Sequence, residues 1–219
     1  MYLKNIVLCD ESNETKISVE SLCITEMFQW ELKKKIKTNN IEGVFIHCGN
    51  YKEISILREE QEEYSVLMPK KSLDLLLPFN KKEYNLASNE KKKELLTEAL
   101  VRGVNFLIKN KQWDAEYIEG AFKSMYKKKF IHHFRPWKKT PSPNANYKAY
   151  PMLKFELDYF ELEIVIEARG KIVLKKLIKT IDPDLYKLWY YMKELRWIKN
   201  DEVALYTRAH KETYMSVKI

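Results

Sequence analysis

Glycine is scarce in this chain, with five among 219 residues, and only Gly43 and Gly49 lie near the strand, helix, strand pattern of the N-terminal region. A Gly-x-Gly-x-x-Gly turn or a Gly-x-x-x-x-Gly-Lys loop needs glycines so that backbone can approach phosphate, and neither is present, which excludes a dinucleotide fold or a P-loop. Cysteine is nearly as rare. Cys9, Cys23 and Cys48 are odd in number and lack metal-ligand spacing, so they exclude a disulfide framework and a zinc site. They read as reduced, buried thiols of a cytoplasmic protein, with a reactive cysteine as the alternative. Long apolar runs are absent: the longest, 75–77 and 189–192, fall far short of the roughly 20 residues that a membrane helix requires. The first residues lack a basic region followed by an apolar one, so no secretory leader is expected. Acidic residues are missing altogether between Glu119 and Glu156.

What is present is basic and rich in core-forming residues. An apolar share of 45% in 219 residues suits one large domain or two small ones. Residues 121–219 hold 21 Lys and Arg against 11 Asp and Glu, a net +10, while residues 1–120 hold 18 against 20, a net −2. The acid-free stretch carries Lys123, Lys127, Lys128, Lys129, Arg135, Lys138, Lys139, Lys148 and Lys154. Such a block attracts phosphate or an acidic protein surface; otherwise it is a solvated helix end and loop.

The clearest periodicity lies in residues 89–125. Leu96, Leu100, Val104, Leu107 and Ile108 share one helical face, with Ser88 placed to cap it and Glu90 in the first turn. Ile118, Ala121, Phe122 and Met125 repeat the pattern after Trp113-Asp114, so the spacing predicts an antiparallel helix pair with Asp114 as the second cap. Before it, residues 3–9 read as a strand, and Ile24, Phe28, Leu32 and Ile36 as the face of a helix ending among lysines 33–35. Residues 43–48, 53–57 and 64–68 read as three more strands, the last two joined by a charged connection at 59–63. Residues 70–77, between Pro69 and Pro78, read as a short amphipathic helix or a covering segment.

After the helix pair, residues 130–150 mix aromatics, cations and prolines, which favours extended backbone. A stretch this long between regular elements is a functional candidate. A strand meander follows. Leu153, Phe155 and Leu157 alternate with charged residues, as do Leu162, Ile164 and Ile166, and Arg169-Gly170 turns the chain into a third strand. Asp182-Pro183-Asp184 marks a helix start, with Leu185, Trp189, Met192 and Leu195 inward. Asn200-Asp201 is a hairpin turn between closing strands, the last over 213–219.

Catalytic constellations are hard to assemble from neighbouring residues. A metal-dependent nuclease core requires Glu-x-Lys or Asp-x-Lys; the nearest match is Asp158 with Glu167-Ala168-Arg169, and arginine stays protonated. Glu161, Glu163 and Glu167 read instead as the solvent face of a strand opposite lysines. His132 and His133 point to opposite faces of a strand and lack a third ligand, so they read as structural or partner contacts, and His47 as a hydrogen-bonded core histidine. No Ser-His-Asp or Cys-His arrangement can be built from local motifs. The expectation is no catalytic residue, no metal and no cofactor.

Segment order carries a resemblance. Pro78-Phe79-Asn80, a helix over 93–108, Gln112-Trp113-Asp114, Phe130 with Lys138-Lys139, Tyr147-Lys148-Ala149 opening a meander with Gly170, Asp182-Pro183-Asp184 and Leu195-Arg196-Trp197 follow one another over residues 78–219. This resembles the immunity partners of bacterial polymorphic toxins. The resemblance implies a small cytoplasmic α+β protein that binds a cognate toxin domain and blocks its active site; because this chain is basic, the toxin surface should be acidic, or the contact should use the less basic N-terminal half.

The combined expectation is an α+β fold, with a central helix hairpin packed against mainly antiparallel sheets and a C-terminal strand meander. The expected division is a small N-terminal α+β unit over 1–77 and a helix-hairpin-plus-antiparallel-sheet unit over 78–219, with one continuous domain as the alternative. The candidate partner-binding residues are His133, Phe134, Arg135, Trp137, Lys138 and Lys139, because Trp and Arg anchor interfaces and these cluster in a proline-bearing loop. Nucleic-acid binding by the basic half is the alternative, with Phe130, Phe134, Trp137 and Tyr147 as stacking groups, although no helix-turn-helix, zinc or RNP-type signature accompanies them.

Overall fold

The computed structural model describes residues 2–10, 12, 14–32, 36–38, 40–62, 71–208 and 214–219. The expected strand at 64–68 and the lysines at 33–35 lie outside the described residues. The architecture is α+β, and it divides into two compact units, Met1–Phe130 and Ile131–Ile219. The sequence reading placed the division at 77/78. The helices after residue 78 belong instead with the N-terminal sheet, because their apolar faces are buried on it.

In the first unit, β1 (Asn5–Cys9), β2 (Gly43–Gly49), β3 (Ser55–Glu62) and β4 (Lys71–Pro78) form one sheet in the order β1-β2-β4-β3. β1 with β2 and β2 with β4 are parallel; β3 runs antiparallel along β4. Residues 71–78 are thus a strand between two others, where the sequence reading had a helix or cover. Leu73, Leu75 and Leu77, all buried, share one face at a period of two. The acidic stretch expected as a connection also pairs, at the sheet edge, as the second half of β3. Between β1 and β2 lie α1 (Ile17–Glu20) and α2 (Leu22–Leu32); α2 stops short of Ile36, which is nevertheless buried.

The helices after β4 are α3 (Lys81–Leu86), α4 (Asn89–Lys111) and α5 (Ala115–Lys127). Ser88 and Asp114 cap α4 and α5 as expected, accepting from the backbone N–H of Lys91 and Glu116. Leu96, Leu100, Val104 and Leu107 are buried, with Ile108 at the margin, and α4 lies against β2 and β4. Gly103 permits this approach: a Cβ there would sit 2.7 Å from Ile46 Cδ1. α5 buries Ile118, Ala121, Phe122 and Met125 and packs on α2, where Phe28 and Phe122 stack at 4.7 Å and Ser124 donates to Glu31 at 2.7 Å.

One group in α2 opposes folding at neutral pH. Glu26 is half-buried and, among the described residues, has no ion-pair or hydrogen-bond partner; burial pushes its carboxyl up to about 7. The unfolded chain loses this proton first, so stability declines as pH rises from the ordinary glutamate range to about 7. Glu26→Gln should therefore stabilise the protein by about 1–3 kcal/mol at pH 8, with the gain vanishing near pH 4, as read by urea denaturation at the two pH values.

The second unit holds two sheets. β5 (His132–Phe134), β7 (Lys148–Phe155), β8 (Phe160–Ala168) and β9 (Lys171–Ile181) pair in that order, all antiparallel, and the short β6 (Thr140–Pro141) also pairs with β7. Arg169 and Gly170 both have positive φ, 50° and 78°, the two-residue hairpin geometry that matches strand twist. After α6 (Leu185–Tyr191), the strands β10 (Glu194–Lys199), β11 (Glu202–Tyr206) and β12 (Tyr214–Lys218) form the second sheet, with the expected turn at Asn200-Asp201. α6 starts two residues later than the motif suggests: Asp184, not Asp182, accepts from Tyr186 and Lys187, while Asp182 pairs with Lys187 at 2.7 Å. Its buried residue is Leu188, and Leu195 belongs to β10.

The core of this unit is aromatic. Phe155 and Phe160 stack at 3.9 Å, His132 and Phe134 stack at 4.3 Å, and both of the latter meet Phe155 edge-on at 5.3 Å. Among the described residues, no helix of either unit is long and apolar enough to cross a membrane.

Candidate functional site

Residues 131–147 form one edge of the larger sheet of the second unit, held by β7 at both ends. β5 pairs His132 with Phe155 and Phe134 with Leu153; β6 pairs Thr140 with Ala149. The intervening loop carries Arg135, Trp137, Lys138 and Lys139. Trp197 Nε1 donates to Thr140 O at 3.0 Å, tying β6 to the smaller sheet.

Strand alternation separates the six candidate residues. His132 and Phe134 turn toward the aromatic core, so Phe134 serves packing. His133 turns to the opposite face, where it is exposed, and Arg135 and Lys138 are exposed beyond it. Trp137 is half-buried. Lys139 is an exposed residue whose ammonium reaches back to pair with Glu167.

That opposite face is a charged platform. Tyr150 on β7 donates to Glu167 Oε1 at 2.7 Å, and Lys139 pairs with Oε2 of the same carboxylate. The Arg135 guanidinium lies 5.4 Å, and the Lys139 ammonium 5.1 Å, from the centre of the Tyr150 ring, within cation–π range. Along β8, Glu163 Oε1 pairs with Lys175 at 2.9 Å and Oε2 faces His133 Nε2 at 3.3 Å. Glu161, nearer the end of the strand, meets Lys154 at 3.8 Å.

Glu163 and Glu167 are 8% and 9% exposed, so they are not the solvent face that the alternation suggests. β8 has strands on both sides, and the long side chains of Lys139, Lys175, His133 and Tyr150 fold over its acids. The consequences for protonation follow. The Lys139 ammonium, with the Tyr150 hydroxyl, holds the Glu167 carboxyl below its ordinary range; burial and the bond to Glu167 push the Tyr150 phenol up to about 12. Beside this platform a cleft of about 710 Å³ opens between Lys139, Tyr147, Lys148, Glu167 and the Arg169-Gly170 turn.

Three of the candidates, His133, Arg135 and Lys139, are therefore brought onto one face with Glu163, Glu167 and Tyr150. The last three were missed as members of the site. Their only sequence signal was the run of glutamates on β8 facing lysines, which does not disclose that Lys139, almost thirty residues earlier in the chain, covers Glu167.

The first unit contains a second polar cluster that local motifs did not reveal. Cys9 Sγ lies 3.4 Å from His47 Nδ1, His47 Nε2 lies 3.2 Å from Asp74 Oδ1, and Arg58 Nε donates to Asp74 Oδ2 at 2.8 Å. His47 is buried and hydrogen-bonded, as its apolar strand suggests, but its partners Cys9 and Asp74 come from two other strands. Cys23 and Cys48 are buried, and burial pushes the Cys48 thiol up. Among the described residues, no group of three His, Cys, Asp or Glu side chains is placed to hold a metal ion.

No protein-family model matches the chain, and no curated protein matches it, so the functional reading rests on these geometries and on the segment order of residues 78–219.

Proposed function

We propose that the chain is a stoichiometric protein-binding inhibitor, an immunity protein that neutralises a cognate bacterial toxin domain by covering its active site with the basic face of the second unit. One observation carries the reading: Arg135 and Lys138, both exposed, and half-buried Trp137 sit on a loop clamped at both ends by pairing with β7, whose neighbouring cations Lys139 and Lys175 are neutralised by Glu167 and Glu163. A surface held in this way loses little conformational entropy on binding, and its outward charge suits an acidic protein surface. Residues 131–219 hold 17 Lys and Arg against 11 Asp and Glu, a net +6. The opposite edge strand, β9, adds exposed Ile172, Val173 and Leu177 among lysines, an arrangement open to further protein contact.

The test is a pull-down of tagged protein from its native lysate, washed with and without nuclease and at low and high salt. One protein retained through nuclease and high salt, toxic when expressed alone and harmless when co-expressed with this chain, supports the reading. Nucleic acid released progressively as salt rises contradicts it and assigns the basic face to phosphate.

A further inference from the structure

The sheet of the first unit has a face that the binding reading does not use. Alternation along the strands sends Val44, Ile46, Leu73 and Leu75 toward the helices, and Cys9, His47 and Asp74 to the other side. The parallel register then assembles them: Cys9 on β1 stands beside His47 on β2, and Asp74 on β4 stands beside Phe45, two residues before His47. Arg58 reaches Asp74 from β3, its register partner.

The Cys9 thiol lies within hydrogen-bond range of two acceptors, Ile46 O at 3.5 Å and His47 Nδ1 at 3.4 Å. Asp74 can only accept, so Nε2 of His47 carries the proton toward it at 3.2 Å and the lone pair of Nδ1 faces the Cys9 thiol at 3.4 Å. Nucleophile, base and orienting carboxylate follow in sequence, and Arg58 fixes the carboxylate through its other oxygen at 2.8 Å. His47 and Asp74 are 7% and 6% exposed, whereas Cys9 is half-buried and so within reach of a small reagent. Among the described residues, the acids near the thiol are paired. Asp10, its chain neighbour, is anionic but paired with Lys81 at 2.7 Å and bonded by Ser12 and Thr15, and Asp74 is offset by Arg58. Cys48 is the remaining thiol nearby, and it is enclosed.

We propose that Cys9 is a nucleophilic thiol, activated by His47 and oriented through Asp74 and Arg58, and that it is a site of covalent modification by carbon electrophiles. In the step, the thiol proton passes to His47 Nδ1, the sulfur electron pair forms a C–S bond, and the leaving group departs with its bonding pair. The thiolate is stabilised by the imidazolium beside it, as in other cysteines paired with histidine. This lies beyond the binding reading and stands without it.

Iodoacetamide is the probe, with iodide as leaving group, and the modified cysteine is located by peptide mapping. The rate at Cys9 in the intact protein is followed from pH 5.5 to 9.5, beside glutathione as an ordinary thiol. The expected profile is nearly flat from about pH 7 upward, with a rate at pH 6.5 about tenfold above that of glutathione. His47→Gln should return the profile to a climb centred near the ordinary thiol value of about 8.5, and Asp74→Asn should shift it part of the way. Exposure alone would move none of these midpoints. A wild-type profile that still climbs tenfold per pH unit between 6 and 8 overturns the proposal without needing either variant to fold, as does a folded His47→Gln protein with an unchanged profile.

Discussion

Alanine at both Arg135 and Trp137 is expected to weaken partner binding by about 100-fold or more while leaving the fold intact. The magnitude follows from their chemistry. Trp offers the largest apolar surface of any side chain and Arg a planar, permanently charged fork, and the two dominate binding hot spots when they sit centrally. Arg135 is exposed and Trp137 half-buried, so their removal costs the second unit little. The loop around them keeps its position because the pairing of β5 and β6 with β7 is untouched. Titration calorimetry against the isolated partner measures the loss. Unchanged affinity in the folded double variant would remove this loop from the interface. Lys109→Ala, on an exposed position of α4 in the other unit, should leave affinity within about twofold and serves as the control.

Phe155→Ala is expected to destabilise the second unit by about 3–5 kcal/mol, because it empties a fully enclosed ring site. Phe155 is 1% exposed, stacked on Phe160 and edge-on to His132 and Phe134. It is also the β7 residue that pairs with His132. Its loss therefore loosens β5, the anchor at one end of the basic loop, and binding should weaken together with stability. Phe134→Ala, at a half-buried position, should cost less. Urea denaturation followed by tryptophan fluorescence reads both, and equal losses in the two variants would argue against Phe155 as the centre of the core.

The parts of this fold that were legible in the sequence are those set by residues close together in the chain. The buried faces of α4 and α5 and their caps at Ser88 and Asp114 depend on spacings of three and four. The turn at Arg169-Gly170 depends on local backbone freedom, and that at Asn200-Asp201 on two adjacent turn-forming residues. What was hidden depends on pairing partners far away. β4 carries Leu75-Leu76-Leu77, which fits either period; its place between β2 and β3 makes it a strand. The acidic run that forms the second half of β3 looks like a solvated connection because its register partner, β4, comes later in the chain.

The same holds for the sites. The cation-rich loop was visible as composition, and its members Arg135 and Lys138 are exposed. The acids that pin it were not, because Glu163 and Glu167 look solvent-facing until the neighbours of β8 cover them. Cys9, His47, Asp74 and Arg58 come from four strands; parallel pairing of β1, β2 and β4 makes the first three neighbours, and antiparallel pairing of β3 with β4 adds Arg58. Charge illustrates the same limit. The basicity of the C-terminal half was plain, but part of it is consumed internally by Lys139, Lys154 and Lys175.

The central claim is stoichiometric inhibition through the second unit, and the most direct measurement is a titration of the isolated partner's activity with increasing amounts of this chain. The account predicts a linear fall to zero at one chain per partner molecule, reversed in the Arg135→Ala, Trp137→Ala double variant. Activity that persists in a saturated complex, or that is abolished by far less than one equivalent, would contradict it.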